Sequence, residues 1–261
     1  FFVAGMLYEK TDFVRVCITT AIAAAHVLIL VLSRDLGGAL IYFITYVMVL
    51  YVATMNVAYL GAGLGGGALA AVVAYRLFAH VRTRVLAWRD PWGTIENEGY
   101  QVARSLFAIG TGGFIGMGLG KGLPSSVPVV ESDFVFSAIS EELGGVFAIC
   151  LILVYLSSYI MFVNIAMKMK KQFYKLTAFG LSVVFIFQVF LCVGGVTKFI
   201  PSTGVTLPLI SYGGSSIMTT IMIFSIIQGM YVLNGREEES LEEERKSEGK
   251  RKREGKRRAR N

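Results

Sequence analysis

Four acidic residues fall within a short stretch of an otherwise apolar sequence: Glu131, Asp133, Glu141 and Glu142. They belong to Pro128-Val129-Val130-Glu131-Ser132-Asp133-Phe134, followed by Ser140-Glu141-Glu142-Leu143-Gly144. The run after Asp133 is apolar enough for a helix, so Ser132 or Asp133 can act as its N-cap, where the macrodipole favours an acid. The other reading is chemical. A carboxylate at the mouth of a membrane cavity can accept a proton from a hydroxyl, or hold a divalent cation. Glu141 and Glu142 lie two turns further on, about 12 Å along the axis. An acid at the centre of a bilayer costs at least ~2.5–3.5 kcal/mol, so a pair at that depth should face a cavity or cations.

Cations that could serve such a site are few. Lys121 ends the run Thr111-Gly112-Gly113-Phe114-Ile115-Gly116-Met117-Gly118-Leu119-Gly120-Lys121-Gly122. A phosphate loop would need glycine five residues before the Gly-Lys pair and Ser or Thr after it; here Ile115 and Gly122 stand there. The glycines then serve tight turns or close backbone approach, or their N–H groups join Lys121 at a diphosphate. Lys198 ends another apolar run, where it either snorkels to the surface or attracts an anion. Gln101, Arg104, Ser105 and Ala108 recur at helical spacing within 99–110, a short amphipathic helix lying on or dipping into a membrane.

The elements that must position these residues are long and apolar. Of 261 residues, 54% are hydrophobic and 16% charged, against about 25% charged in soluble domains. Mean hydropathy is +0.61. Six apolar segments, near 13–33, 36–55, 57–79, 136–166, 174–197 and 205–233, each approach or exceed the ~20 residues that span a hydrocarbon core. Residues 1–8 read as the end of a seventh helix, and the chain as a fragment lacking its N-terminal part. The runs lack the alternation of barrel strands, so the expected fold is all-α: a polytopic transmembrane bundle with a large extracytoplasmic loop, about 80–135, containing short helices. Pro208 and the pair Gly213-Gly214 predict a broken helix at the start of the sixth segment. Gly61–Ala68 predicts close helix packing, or an unwound stretch lining a cavity. Cys17, Cys150 and Cys192 are far apart inside apolar runs and read as small buried hydrophobes.

Lys168, Lys170, Lys171 and Lys175 make the turn between the fourth and fifth segments cytoplasmic. Parity puts the C-terminus inside, and the Asp35 turn and the 80–135 loop outside. Asp35 is placed to cap the second segment, or to pair with Arg34 at the rim of a site. Residues 235–261 carry eleven Lys or Arg and eight Glu. They form a charged cytoplasmic tail, helical at first and then disordered. The net charge of +7 is thus a membrane-topology signal and does not point to nucleic acid.

Several of these stretches together resemble the SEDS family, which includes FtsW, RodA and SpoVE. Gly204-Val205-Thr206-Leu207-Pro208-Leu209-Ile210-Ser211-Tyr212-Gly213-Gly214-Ser215-Ser216 is similar to its C-terminal signature. Pro128…Ser132-Asp133-Phe134 with Glu141-Glu142-Leu143-Gly144, the stretch from Tyr100-Gln101 to Gly120, and Asp35-Leu36-Gly37 agree in order and spacing. Four positions depart from the usual pattern: Ser132 for Thr, Glu131 for His or Gln, Arg34 for Pro and Cys192 for Asn.

The resemblance implies about ten helices in a complete member, of which residues 1–234 would hold the last six and the end of another. It implies a multi-pass protein of the bacterial inner membrane that polymerises lipid II at the outer face, in division, elongation or sporulation. Its partners would be lipid II, polyprenyl-diphosphate-linked glycan and a class B penicillin-binding protein. Asp133 matches the family's essential aspartate and would be the general base of an inverting glycosyl transfer. Gln101, Arg104, Ser105, Lys121, Glu142, Lys198, Ser211 and Tyr212 are candidate substrate contacts. Arg34, Asp35, Pro208, Gly213 and Gly214 are structural or rim positions. Magnesium or manganese, with Asp133 as a ligand, is the one cofactor in view. Two rival readings remain: a transporter that flips the lipid-linked precursor, and a non-catalytic scaffold for the penicillin-binding protein.

Overall fold

The computed structural model describes residues 1–8 and 12–258, with side chains described through Glu237 and at Glu239 and Ser240. Among the described residues six helices are long and apolar enough to cross a bilayer. They are α2 (Phe13–Leu32), α3 (Leu36–Thr54), α4 (Val57–Leu77), α7 (Val135–Lys168), α8 (Gln172–Val196) and α9, which starts at Gly214 and is apolar through the membrane-length part ending at Glu237. The shorter helices are α1 (Phe2–Leu7), α5 (Ala79–Arg89) and α6 (Tyr100–Gly112), with a 3-10 turn at Pro124–Ser126. The all-helical membrane bundle follows from one constraint: in lipid each backbone N–H and C=O must find its partner within the protein.

α8 is the axis of the bundle and the most buried of the six spans. It packs against α3, α7 and α9. Phe162 of α7, Phe185 of α8 and Phe224 of α9 meet edge to face, with centroids 4.8–5.5 Å apart. α4 has no buried residue and lies on the outside. It touches α3 through glycine: a methyl on Gly67 would lie 2.5 Å from Phe43, and one on Gly63 2.9 Å from Val47. The glycine run is thus regular helix used for close approach, without unwinding.

Asp35 caps α3, its Oδ1 accepting from Gly38 N–H at 2.8 Å, after a turn in which Arg34 adopts φ 64°. The sixth span begins later than its hydropathy suggests. Residues 201–213 are non-helical and α9 starts at Gly214. The break is held by protein: Tyr155 donates to the Pro208 carbonyl at 2.6 Å, and Gln188 Nε2 to the Thr206 carbonyl at 3.1 Å. α5 has no counterpart in the sequence reading, since Arg82, Arg84 and Arg89 break its apolar pattern. α9 continues through the charged tail to Arg258, and residues 259–261 lie outside the described residues.

α7 contains a break at Gly144 (φ 83°, ψ 168°). In an unbroken helix Gly145 and Val146 would donate to the carbonyls of residues 141 and 142. Here they donate to Gly113 and Phe114, at 2.8 and 3.2 Å. The carbonyls of Glu141 and Glu142 instead accept from Met117 and Gly118, both at 2.9 Å. The glycine loop after α6 therefore replaces the lost helical bonds one for one. A methyl on Gly112, Gly116 or Gly144 would collide with the opposing backbone.

Candidate active site

The turn at 33–35, the α5 segment and the loop 197–213 gather at one end of the bundle, opposite the Lys171 turn. Trp88 Nε1 donates to the Lys198 carbonyl at 3.1 Å, and Arg84 Nη1 to the Ser202 carbonyl at 3.0 Å. Gly37, at the start of α3, packs on Thr203 and Val205. At the other end Lys171 Nζ meets Glu237 Oε1 at 2.5 Å, a pair that raises the lysine pKa through the hydrogen bond and the attraction of the carboxylate.

Asp133 stands at the gathered end. Neither it nor Ser132 caps α7, as the sequence had suggested: the N-cap is Phe134, which has no side chain able to accept. Instead the Asp133 segment is clamped by its backbone. Tyr212 N–H donates to the Glu131 carbonyl at 2.7 Å, Ser211 Oγ to the Ser132 carbonyl at 2.5 Å, and Cys192 Sγ to the Asp133 carbonyl at 3.6 Å. Ser211 Oγ in turn accepts from Leu207 N–H at 2.7 Å. The carboxylate itself is half-buried and makes no side-chain hydrogen bond among the described residues. A fixed backbone carrying an uncommitted carboxylate is suited to proton transfer, because nothing must be broken before it accepts a proton.

The carboxylate faces Gly204, which adopts φ 74°. A methyl there would lie 3.3 Å from Asp133 Oδ2 and 3.8–3.9 Å from the two Arg84 Nη atoms. No motif in the sequence singles out Arg84. Its sole signal is position: it shares a face of α5 with Trp88, one turn on.

Two of the predicted substrate contacts are buried and hydrogen-bonded within the protein. Ser105 is fully buried, with its Oγ 2.7 Å from Ser137 Oγ and donating to the Val196 carbonyl at 2.9 Å. Ser211 is 1% exposed and already holds the two partners named above. Each hydroxyl is buried and has spent its one proton on a backbone carbonyl, so neither can donate to a sugar as it stands. Gln101, Arg104 and Lys121 are exposed, with Arg104 over the Tyr100 ring at 5.2 Å. Lys198 is half-buried, with φ 60°. The Tyr212 side chain is 79% exposed while its backbone serves the clamp. Glu142 Oε1 accepts from Gly120 N–H at 3.2 Å. Arg34 and Asp35 sit on the turn beside the 203–205 loop; Pro208, Gly213 and Gly214 form the break before α9.

The described residues contain no group of three His, Cys, Asp or Glu able to hold a metal ion. A cation at Asp133 would meet one carboxylate and face the Arg84 guanidinium. The N–H groups of Met117 and Gly118, which a diphosphate cradle would have used, are spent on α7.

The family model described as "Cell cycle protein", FTSW_RODA_SPOVE, matches residues 2–233. The chain is 40% identical over 199 residues to the "Peptidoglycan glycosyltransferase RodA" of Mycobacterium tuberculosis (strain ATCC 25618 / H37Rv), covering 76% of this chain and 42% of that protein. It is 34% identical over 239 residues to the "Probable peptidoglycan glycosyltransferase FtsW" of Buchnera aphidicola subsp. Schizaphis graminum, covering 87% of this chain and 67% of that protein. The chain therefore spans less than half the length of the mycobacterial relative. Among solved structures, a chain described by "Structural coordination of polymerization and crosslinking by a peptidoglycan synthase complex" superposes with a TM-score of 0.74 at 25% identity, over 89% of this chain and 66% of that one.

Proposed function

Since this chain belongs to the FtsW/RodA/SpoVE family of cell cycle proteins, we propose that its protein is a peptidoglycan glycosyltransferase that polymerises lipid II, with Asp133 as general base. The names of the relatives support the reaction class. The observation that carries the assignment to Asp133 is its geometry: a backbone-clamped, half-buried carboxylate with no partner of its own, facing a guanidinium across a glycine.

An Asp133 oxygen accepts the proton of the acceptor sugar's 4-hydroxyl. That oxygen attacks the anomeric carbon of the donor from the face opposite the polyprenyl diphosphate. The new glycosidic bond forms as the bond to the diphosphate oxygen breaks, and the leaving group takes the electron pair. The anomeric centre inverts. The clamp from Tyr212, Ser211 and Cys192 holds the base while the substrates change, so that proximity is supplied in advance.

The site opens outside the cell. Lys168, Lys170, Lys171 and Lys175 lie at the end opposite the site, and a short lysine-rich turn stays in the cytoplasm. The C-terminus is then cytoplasmic. A class B penicillin-binding protein is the partner, a reading supported by the neighbour whose description couples polymerization to crosslinking.

The test is a gel assay of the purified full-length protein in lipid nanodiscs, given lipid II. Glycan polymer from the parent protein and none from Asp133→Asn, at equal expression and thermal midpoint, is the expected result. Normal polymer from Asp133→Asn overturns the role of the base. Translocation without polymer would replace the enzyme by a transporter, and an inert protein that still recruits its partner would replace it by a scaffold.

A further inference from the structure

The last part of α9 takes no part in the site described above, and its charges are ordered. Six of the eight residues 237–244 are glutamate, and 245–258 then hold nine Lys or Arg against two Glu. The backbone carries both blocks as one helix, continuous with the membrane span through Arg258. The sequence favours that helix. Glu242 and Lys246, Glu248 and Lys252, and Glu254 and Arg258 stand four residues apart with the acid first, the stabilising order. The helix also sorts the cations. At about 100° per residue, seven of the nine fall within an arc of about 160°. Arg251 and Arg258 fall outside it, and so do both acids, Glu248 and Glu254. The result is a cationic face from Arg245 to Arg257.

The position of this face narrows its partner. Glu237 ends the membrane-length part of α9 and meets Lys171, on the turn between α7 and α8. From there Arg245 is about 12 Å along the helix axis and Arg258 about 32 Å. The field of an anionic leaflet falls off within a Debye length, about 8 Å at physiological salt. The face therefore begins beyond that field, behind a glutamate block that the leaflet repels. Leu241 is the one large apolar residue in 236–258, so the helix has no apolar side to lay into an interface. A second copy of this chain matches no better. Rising in parallel from the same leaflet, it sets glutamate against glutamate and cation against cation. A nucleic-acid duplex is charged along its whole length and would bring phosphates against the glutamate block as well. A short acidic segment covers the cationic face alone.

We infer that the cationic face of 245–257 docks a short acidic segment of a cytoplasmic protein, held clear of the bilayer by the glutamate block. The inference rests on the cytoplasmic placement of the C-terminus proposed above and is independent of the chemistry at Asp133. Recognition by charge without apolar contact is fast to form and sensitive to salt.

The experiment uses the full-length protein in phosphatidylcholine nanodiscs, which carry no net charge and leave both faces open. The probe is a fluorescent fourteen-residue peptide of alternating Glu and Asp, titrated by anisotropy. Lys246→Gln with Arg253→Gln removes two charges from the face. Arg251→Gln with Arg258→Gln removes two from outside it. The first pair should weaken binding by about fivefold to tenfold, and the second by less than about twofold. Both variants should make parent amounts of polymer from lipid II. Equal losses in the two variants would overturn the inference and leave a basic tail without a face. So would a parent protein that ignores the peptide, whether phosphatidylglycerol vesicles or duplex DNA capture it instead. The side of the membrane is read separately, with trypsin added to sealed right-side-out vesicles, which should spare the tail. Cleavage there would sink the cytoplasmic placement, while the nanodisc titration would still report on the face.

Discussion

The hydroxyl of Ser211 donates to the carbonyl of Ser132 at 2.5 Å, joining residues 79 positions apart immediately before Asp133. The same oxygen accepts from Leu207 N–H. Ser211→Ala therefore leaves a buried N–H and a carbonyl short of partners, at a cost of about 1–3 kcal/mol. The carboxylate should drift while the ligand surface stays intact. Polymer turnover is expected to fall roughly tenfold to a hundredfold with KM unchanged. A rise in KM with unchanged turnover would mean that Ser211 touches substrate after all.

Ser105 gives the matching case inside the bundle. Its bonds to Ser137 and Val196 tie α6 to α7 and α8. Ser105→Ala should lower stability by about 1–3 kcal/mol and leave the affinity for lipid II unchanged. Thermal unfolding and a substrate titration on the same preparation separate the two.

The patch over the α7 break separates two glycines of α6. Gly112→Ala would drive a methyl into the Ser140 carbonyl and Glu141 Cα. Gly110→Ala meets nothing within 4 Å. The first should cost ~3 kcal/mol or more and reduce the amount of folded protein in the membrane. The second should be neutral or stabilise by about 0.5–1 kcal/mol, as alanine does within a helix. Thermal midpoints of the two variants decide this.

Cys192 donates to the Asp133 carbonyl through a weak S–H bond at 3.6 Å. Cys192→Ala should cost about 1 kcal/mol and reduce turnover less than Ser211→Ala does. Equal losses in the polymer assay would show that the two side-chain clamp bonds matter alike.

On α4, Gly67→Leu must displace Phe43 and push α4 away from α3. The expected cost is ~1–3 kcal/mol of overpacking. Gly65→Leu, with nothing within 4 Å of its position, faces outward and should leave the thermal midpoint unchanged.

Much of the architecture was legible before any coordinates. The six spans fall within a few residues of their apolar runs, except at the start of α9. Asp35 was placeable as a cap, because capping depends only on neighbours three residues away. Pro208 and Gly213-Gly214 announced the broken entry to α9, since proline lacks the N–H a helix needs. Asp133 stood out through its motif, although its expected capping role belongs to no side chain in the structure.

What stayed hidden lies in pairings across distant segments. Ser105 and Ser211 look like any hydroxyl near a site until burial shows them spent on carbonyls 91 and 79 residues away. The glycines after α6 read as turns or close backbone approach, but nothing local says that the backbone they approach is the break at Gly144. Arg84 is one of several loop arginines until Gly204 brings it opposite Asp133. Sequence alone determined which stretches enter the membrane, because lipid penalises every unpaired backbone group and so dictates helix length and composition locally. Only the tertiary structure decided which polar groups at the bundle's end are free to react. That depends on which hydrogen bonds the packed helices have already made, and no local pattern records it.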